Sequence, residues 1–183
     1  MNTSNAIDRR EDWISVSTRK IRRPGDPEWD DYIRFLGLPH LQEVRTIDSW
    51  CNPCHDGNYF AHSVEEALDL IDEGIVRKLR SPDEYHLAFV DAQGPHAGIE
   101  HPRFRLLGHD LSDETWTSSL LNCGYWMDPL DAIARRTMPN GLLNFEDALQ
   151  AKALLPEAWN GDPHAFVTIW ALYEILDGET SED

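Results

Sequence analysis

Residues 51 to 55 read Cys-Asn-Pro-Cys-His, the CxxCH spacing of covalent haem attachment. Two thiols three residues apart and an adjacent imidazole also suit half of a zinc site, because thiolate and imidazole ligands together favour a tetrahedral zinc ion. Cys51, Cys54 and His55 are therefore the candidate metal ligands. The fourth ligand would come from one of three residues: His40, His62 or Cys123. The sequence contains no second CxxC that would complete a zinc set.

Haem is not expected, because it is attached to CxxCH motifs outside the cytoplasm. The chain begins Met-Asn-Thr-Ser-Asn-Ala-Ile-Asp-Arg-Arg, without the apolar run of a signal peptide. We therefore expect a cytoplasmic protein whose cysteines are reduced thiols. No cofactor is required by the sequence, and zinc is the one that remains possible.

Other catalytic arrangements are weaker. Cys123 precedes a flexible glycine and could act as a nucleophile with His109 or His164 as base. Asp110 and Asp113 could be paired carboxylates, although Asp-x-x-Asp before an apolar stretch more often caps a helix. The sequence contains no GxxxxGK[ST], GxGxxG, GxSxG or HExxH motif. It therefore favours a protein that is not an enzyme.

The charge is the second informative feature. The 33 acidic and 16 basic residues give a net charge of -17 at pH 7, which repels phosphate backbones and excludes nucleic acid as an expected ligand. A basic protein partner is expected instead, and solubility alone is the competing explanation. Tryptophan is enriched in interface hot spots, so four tryptophans beside predicted loops are candidate anchors for a partner. They are Trp50, Trp116, Trp126 and Trp159.

Length and composition predict one folded domain. The chain has 183 residues, of which 41% are hydrophobic, and this is enough for a self-sufficient core. We expect the domain to span residues 13–177, with a disordered segment at residues 1–12 and a disordered acidic tail at residues 178–183. No stretch approaches the roughly 18 apolar residues of a membrane helix, so no membrane association is expected.

The first half of the chain contains three predicted elements. A strand runs from Trp13 to Thr18, and Asp26-Pro27 begins a helix with apolar residues at helical spacing. Ser63 and Glu66 form a capping box that begins another helix. The basic cluster of residues 19–23 is interpreted as a solvated strand end.

The second half predicts strands at residues 85–90 and 104–107, which could pair as a hairpin with a long loop. Helices begin at Asp128 and Asn144, and the apolar run at residues 165–176 has the composition of a central strand buried on both faces, with Trp170 in the core. These elements lack regular βαβ spacing. They predict a single α+β domain with an antiparallel or mixed sheet and helices packed on one face.

The second half also resembles a set of uncharacterised bacterial proteins for which no activity is established. Three short motifs carry the resemblance, and in the third the asparagine directly precedes the glycine. They are Gly108-His-Asp110-Leu-Ser-Asp113, Asn122-Cys123-Gly124-Tyr125 and Asn140-Gly141-Leu142-Leu143. The resemblance implies a bacterial accessory protein and no particular mechanism.

Two functions therefore follow from the sequence. The first is an acidic cytoplasmic protein-binding module, for example an immunity or inhibitor protein that neutralises a basic toxin or nuclease. The alternative is a zinc-binding protein or small hydrolytic enzyme built around Cys51, Cys54 and His55. The sequence does not indicate the partner's identity or the oligomeric state.

Overall fold

The computed structural model describes residues 12–26, 37–47, 57–112, 118–121, 128–155 and 167–178. Five strands form one sheet in the order β2-β1-β3-β5-β4, and every neighbouring pair is antiparallel. The strands are β1 (Ile14–Lys20), β2 (Tyr59–Ala61), β3 (Glu84–Asp91), β4 (Phe104–Ser112) and β5 (Thr168–Ile175). The helices are α1 (Val64–Asp72), α2 (Asp128–Ala134) and α3 (Phe145–Leu154). None of the described helices is long and apolar enough to cross a membrane.

The α+β fold with an antiparallel sheet is as predicted, and so is the interior position of the last strand. The predicted hairpin of β3 and β4 is wrong, because β5 lies between them and pairs with both. Most side chains of β5 are buried on both of its faces, from Ile169 to Ile175. β5 hydrogen-bonds to β3 at one edge and to β4 at the other, and local sequence cannot show that the strand inserted between them comes from the end of the chain.

Helices α1 and α3 cover the same face of the sheet. Ala67 and Ile71 of α1 pack with residues of β1, β3 and β5, including Tyr173. Ala148 of α3 packs with Ile169 of β5, and residues 169 and 173 point to the same face because side chains alternate along a strand. The prediction of helices on one face therefore agrees with the positions of α1 and α3.

Among the described residues, the centre of the opposite face is covered by loops. Ile47 and Leu142 pack there against Leu87 and Trp170. The segment that contains Met138 and Leu142 lies close against β4 at Gly108. Gly108 has φ 144° and lies at a register shift in β4. A Cβ added at Gly108 would lie 2.5 Å from Met138 Cε and 2.8 Å from Leu142 Cβ.

Two helix starts match their predicted caps. The Ser63 hydroxyl accepts a hydrogen bond from the Glu66 amide at 3.1 Å, and Asn144 Oδ1 accepts one from the Asp147 amide at 2.9 Å. The Glu66 carboxylate reaches back to the amide of His62, at 2.7 Å, rather than to that of Ser63. In a capping box the Glu66 carboxylate would accept from the amide of the N-cap residue, Ser63. Here it accepts from the amide one residue earlier, which also lies before the first turn of the helix.

Candidate functional site

The predicted metal ligands and partner anchors lie outside the described residues. This applies to Cys51, Cys54, His55, Trp50, Trp116, Trp126 and Trp159, and also to Cys123. The helix predicted after Asp26 falls on residues 27–36, which lie outside them as well. Within the described ranges, no group of three or more His, Cys, Asp or Glu side chains is placed to hold a metal ion.

Two of the candidate fourth zinc ligands are described. His40 Nε2 lies 2.9 Å from the Thr137 hydroxyl, which itself donates to the Ala134 carbonyl at 2.8 Å. Since the hydroxyl proton is already used, the tautomer that fits has His40 Nε2 donating, and only Nδ1 is left for a metal. His62 is exposed at the start of α1, with its ring edge-on to Trp13.

Asp110 does not cap a helix, in contrast to the interpretation from its sequence. It lies within β4, is only 1% exposed, and accepts hydrogen bonds from the Ile47 amide at 3.0 Å and the Ser118 hydroxyl at 2.8 Å. Its carboxylate thus ties two loops to the sheet. Local sequence contains no sign of this role, because Ile47 is 63 residues away and no periodicity links Asp110 to Ser118, eight residues on.

The interpretation of the basic cluster, residues 19–23, as a solvated strand end is wrong for Arg19. Its side chain is 1% exposed, and it donates to Ser17 Oγ at 2.9 Å and to Asn58 Oδ1 at 3.0 Å. Other members of the cluster pair with carboxylates, as Lys20 does with Asp26 at 3.4 Å. The cluster therefore contributes mainly internal contacts.

Many arginines elsewhere in the described residues also face carboxylates. Arg77 hydrogen-bonds to Glu84 at 2.8 Å and holds the pKa of that carboxyl down at about 2. Arg103 makes two bonds of 2.8 Å to Asp72, which lowers the pKa of Asp72 in the same way. These arginines are neutralised by carboxylates of the same chain, so they do not offset the remaining negative charge.

Helix α1 carries part of the excess negative charge. Glu65, Asp69 and Glu73 are exposed at spacings of four residues, so they lie along one line of the helix surface. None of the three forms an ion pair with another described residue, and the last turn of α1 contains no basic side chain. We call these residues the acidic stripe. Carboxylates four residues apart repel each other, and those near a helix C-terminus oppose the helix dipole.

An aromatic cluster lies at the start of β1 and along β2. The ring centroids of Trp13 and Phe60 are 4.9 Å apart with a 48° tilt, and those of Trp13 and His62 are 6.4 Å apart. Phe60 is 38% exposed. The cluster, defined as Trp13, Phe60 and His62, lies on the sheet face opposite α1, and the bond from the His62 amide to the Glu66 carboxylate connects it to that helix.

The sequence did not single out the acidic stripe or the aromatic cluster. The stripe could have been found from the helical spacing of Glu65, Asp69 and Glu73, since the helix itself was predicted. The cluster could not, because it depends on the register that places Ile14 opposite Ala61 and so brings the neighbouring Trp13 and His62 together.

Comparisons with protein-family models, with curated proteins and with solved structures found no match to this chain. The resemblance to bacterial proteins stays a prediction. Any functional conclusion therefore depends on the geometry of the described residues and on the sequence.

Proposed function

We propose that this chain is an acidic protein-binding module whose acidic stripe receives a basic surface of a partner protein. The observation that carries the proposal is the line of three exposed carboxylates on α1 that lacks counter-cations among the described residues. An immunity or inhibitor protein that occludes a basic toxin or nuclease is the kind of module that fits this charge. Opposite charges on two partners accelerate their encounter and exclude wrong partners.

Solubility alone is a weaker explanation for the stripe. Negative charge keeps a protein soluble wherever it lies on the surface, so dispersed carboxylates would serve equally well. Stacking Glu65, Asp69 and Glu73 on one helix line instead costs helix stability, because like charges at this spacing repel. Cations of a basic partner bound along the stripe would offset the repulsion between its carboxylates.

The test uses the tagged chain isolated from its own cells and examined by native mass spectrometry. We expect a co-purifying basic protein with the wild type, and its loss in a variant with Asp69→Asn and Glu73→Gln, called the stripe variant. A Glu100→Gln/Glu146→Gln variant removes two exposed carboxylates outside α1 and is the matched control. Equal retention by the two variants would refute the role of the stripe.

The kinetics of the recovered complex provide a second measurement. If charge steers the encounter, the association rate falls steeply as salt is raised, while dissociation changes less. An association rate that is insensitive to salt would contradict electrostatic steering even if a complex forms.

One observation favours the alternative zinc function. Asp110 binds the Ile47 amide directly, and Ser118, which donates to Asp110, accepts from the Leu121 amide at 3.2 Å. These two anchored amides precede the segments that contain Cys51 and Cys123. The described segments that precede Cys51 and Cys123 in the sequence are thus tied to the same carboxylate.

The zinc alternative predicts metal in protein purified without chelator. Elemental analysis should find about one zinc per chain, lost in a Cys51→Ser/Cys54→Ser double variant. Metal-free wild type prepared in this way would count against the alternative and leave the binding-module proposal in place.

A further inference from the structure

We propose that the aromatic cluster is the seat for an arginine side chain of the basic partner. The inference rests on the proposed function, because it names the chemical group that the partner would insert at the β2 edge, on the sheet face opposite α1. The cluster consists of Trp13, Phe60 and His62, as defined above.

The ring geometry fits a guanidinium. A cation is attracted to an aromatic face when it lies within about 6 Å of the ring centroid, and arginine can also stack its planar group on the ring. Trp13 and Phe60 are tilted at 48° with centroids 4.9 Å apart, so their faces diverge rather than stack on each other. With 38% of Phe60 exposed, one ring remains accessible to a partner.

The exposed charge around the rings favours a cation over an anion, since the Arg19 guanidinium on this face is buried and already bonded to Ser17 Oγ and Asn58 Oδ1. The Glu66 carboxylate accepts from the His62 amide at 2.7 Å, which places negative charge directly beside the cluster. Asp12 is exposed and precedes Trp13, and its carbonyl accepts from His96 Nε2 at 3.1 Å, which fixes the backbone just before β1. Carboxylates beside aromatic faces favour a cation through both interactions.

A buried acceptor lies on the inner side of the cluster. Ser15 is opposite Phe60 in the strand register and points to the same face as Trp13. It is 3% exposed, and its hydroxyl has no hydrogen-bond partner within the described structure. Leaving a buried hydroxyl unpaired costs free energy, and a guanidinium offers five donors.

The chain contains a closely matched control aromatic. Phe145 is 39% exposed, compared with 38% for Phe60, and it also has a tilted ring contact, with His109 at 5.2 Å. Phe60→Leu and Phe145→Leu therefore remove similar exposed rings and keep an apolar side chain. Only Phe60 belongs to the proposed seat.

The experiment measures fluorescence anisotropy with a labelled nona-arginine peptide at about 0.15 M salt. We expect Phe60→Leu to weaken binding by about two- to fivefold and Phe145→Leu to leave it unchanged. The fall in peptide affinity with rising salt should be as steep in Phe60→Leu as in the wild type, since no charge is removed. It should be less steep in the stripe variant. The indole N–H resonance of Trp13, assigned by its loss in Trp13→Phe, should shift when the peptide binds.

The outcomes separate the two proposals. Wild-type affinity in Phe60→Leu, together with weaker binding by the stripe variant, would overturn the arginine seat and leave the binding module intact. Unchanged affinity in both variants would overturn both proposals. Equal losses in Phe60→Leu and Phe145→Leu would also overturn the seat, because the peptide would then bind without preference for it. Thermal unfolding of each variant checks that it is folded, and the Trp13 resonance tests the seat without altering Phe60.

Discussion

Neutralising part of the acidic stripe should stabilise the isolated protein. Asp69 has Glu65 four residues before it and Glu73 four residues after it, so it takes part in two like-charge pairs. Glu73 is the C-cap of α1, where a negative charge opposes the helix dipole. The stripe variant, Asp69→Asn/Glu73→Gln, removes both unfavourable effects. It keeps Glu65, which is favourable in the first turn.

The expected gain is about 1 kcal/mol in the free energy of unfolding. Each like-charge pair at this spacing costs about 0.2–0.5 kcal/mol, and a charge near the wrong helix end costs about 0.3–1 kcal/mol. Asn and Gln have helix propensities close to those of Asp and Glu, so propensity changes little. For a chain of this size, about 1 kcal/mol corresponds to a rise of roughly 2–4 °C in the unfolding temperature.

Urea unfolding at low salt measures the gain directly, with Glu100→Gln as the single-site control. Glu100 is exposed in a loop and forms no ion pair with a described residue, so its neutralisation should change stability by less than about 0.5 kcal/mol. The advantage of the stripe variant should shrink as salt is added, because exposed charges are screened. A stripe variant that is no more stable than wild type at low salt would refute the reasoning. If the stripe variant is more stable than wild type but no longer binds the partner, Asp69 and Glu73 are retained for function at a cost in stability.

Three further predictions concern the sheet that supports this surface. Gly108→Ala should lower the free energy of unfolding, measured with denaturant, by about 2–4 kcal/mol, and Gly98→Ala should lower it by about 1 kcal/mol. Both glycines have positive φ, but of the two only Gly108 has atoms where a Cβ would lie. Burial lowers the pKa of His86 in the folded state, so the unfolded chain takes up its proton first. Stability should therefore fall as pH drops below about 6.5, and the slope should be shallower in His86→Gln. Asp110→Asn should cost about 1–3 kcal/mol and accelerate hydrogen exchange at the Ile47 amide; unchanged exchange would contradict the anchoring role.

Local signals in the sequence predicted the local structure. The caps at Ser63 and Asn144 involve donors only three residues away, so their chemistry is contained in a short stretch of sequence. The strand character of residues 168–175 was equally local, since it follows from a continuous run of apolar and β-branched residues.

Pairing between distant segments was not predictable in the same way. The hairpin of β3 and β4 was the simplest expectation for neighbouring strands, and β5 displaced it by pairing with β3 at one edge and with β4 at the other. Asp110 and Arg19 were misinterpreted for a related reason. Their principal partners include Ile47 and Asn58, and no periodicity links residues so far apart.

The candidate surface combines both kinds of feature. The acidic stripe follows from spacing within one predicted helix, so it was available from the sequence. The aromatic cluster depends on strand register, and a slip of one residue would turn Phe60 to the other face. The four tryptophans chosen from loop context lie outside the described residues, and their role as anchors stays a prediction.

The two edges of the sheet limit how a partner can engage this protein. At the β4 edge, His109 and Leu143 exchange two backbone hydrogen bonds of 2.8 Å, and Asn140 donates to the Leu107 carbonyl at 3.1 Å. At the other edge, β2 has only three residues, which is too short to template a stable added strand. Recognition at the β2 edge would therefore depend on side chains. Among the described residues, the side chains near this edge include the aromatic cluster and the carboxylates of α1. We therefore expect a partner to present a basic side chain rather than an extended peptide backbone.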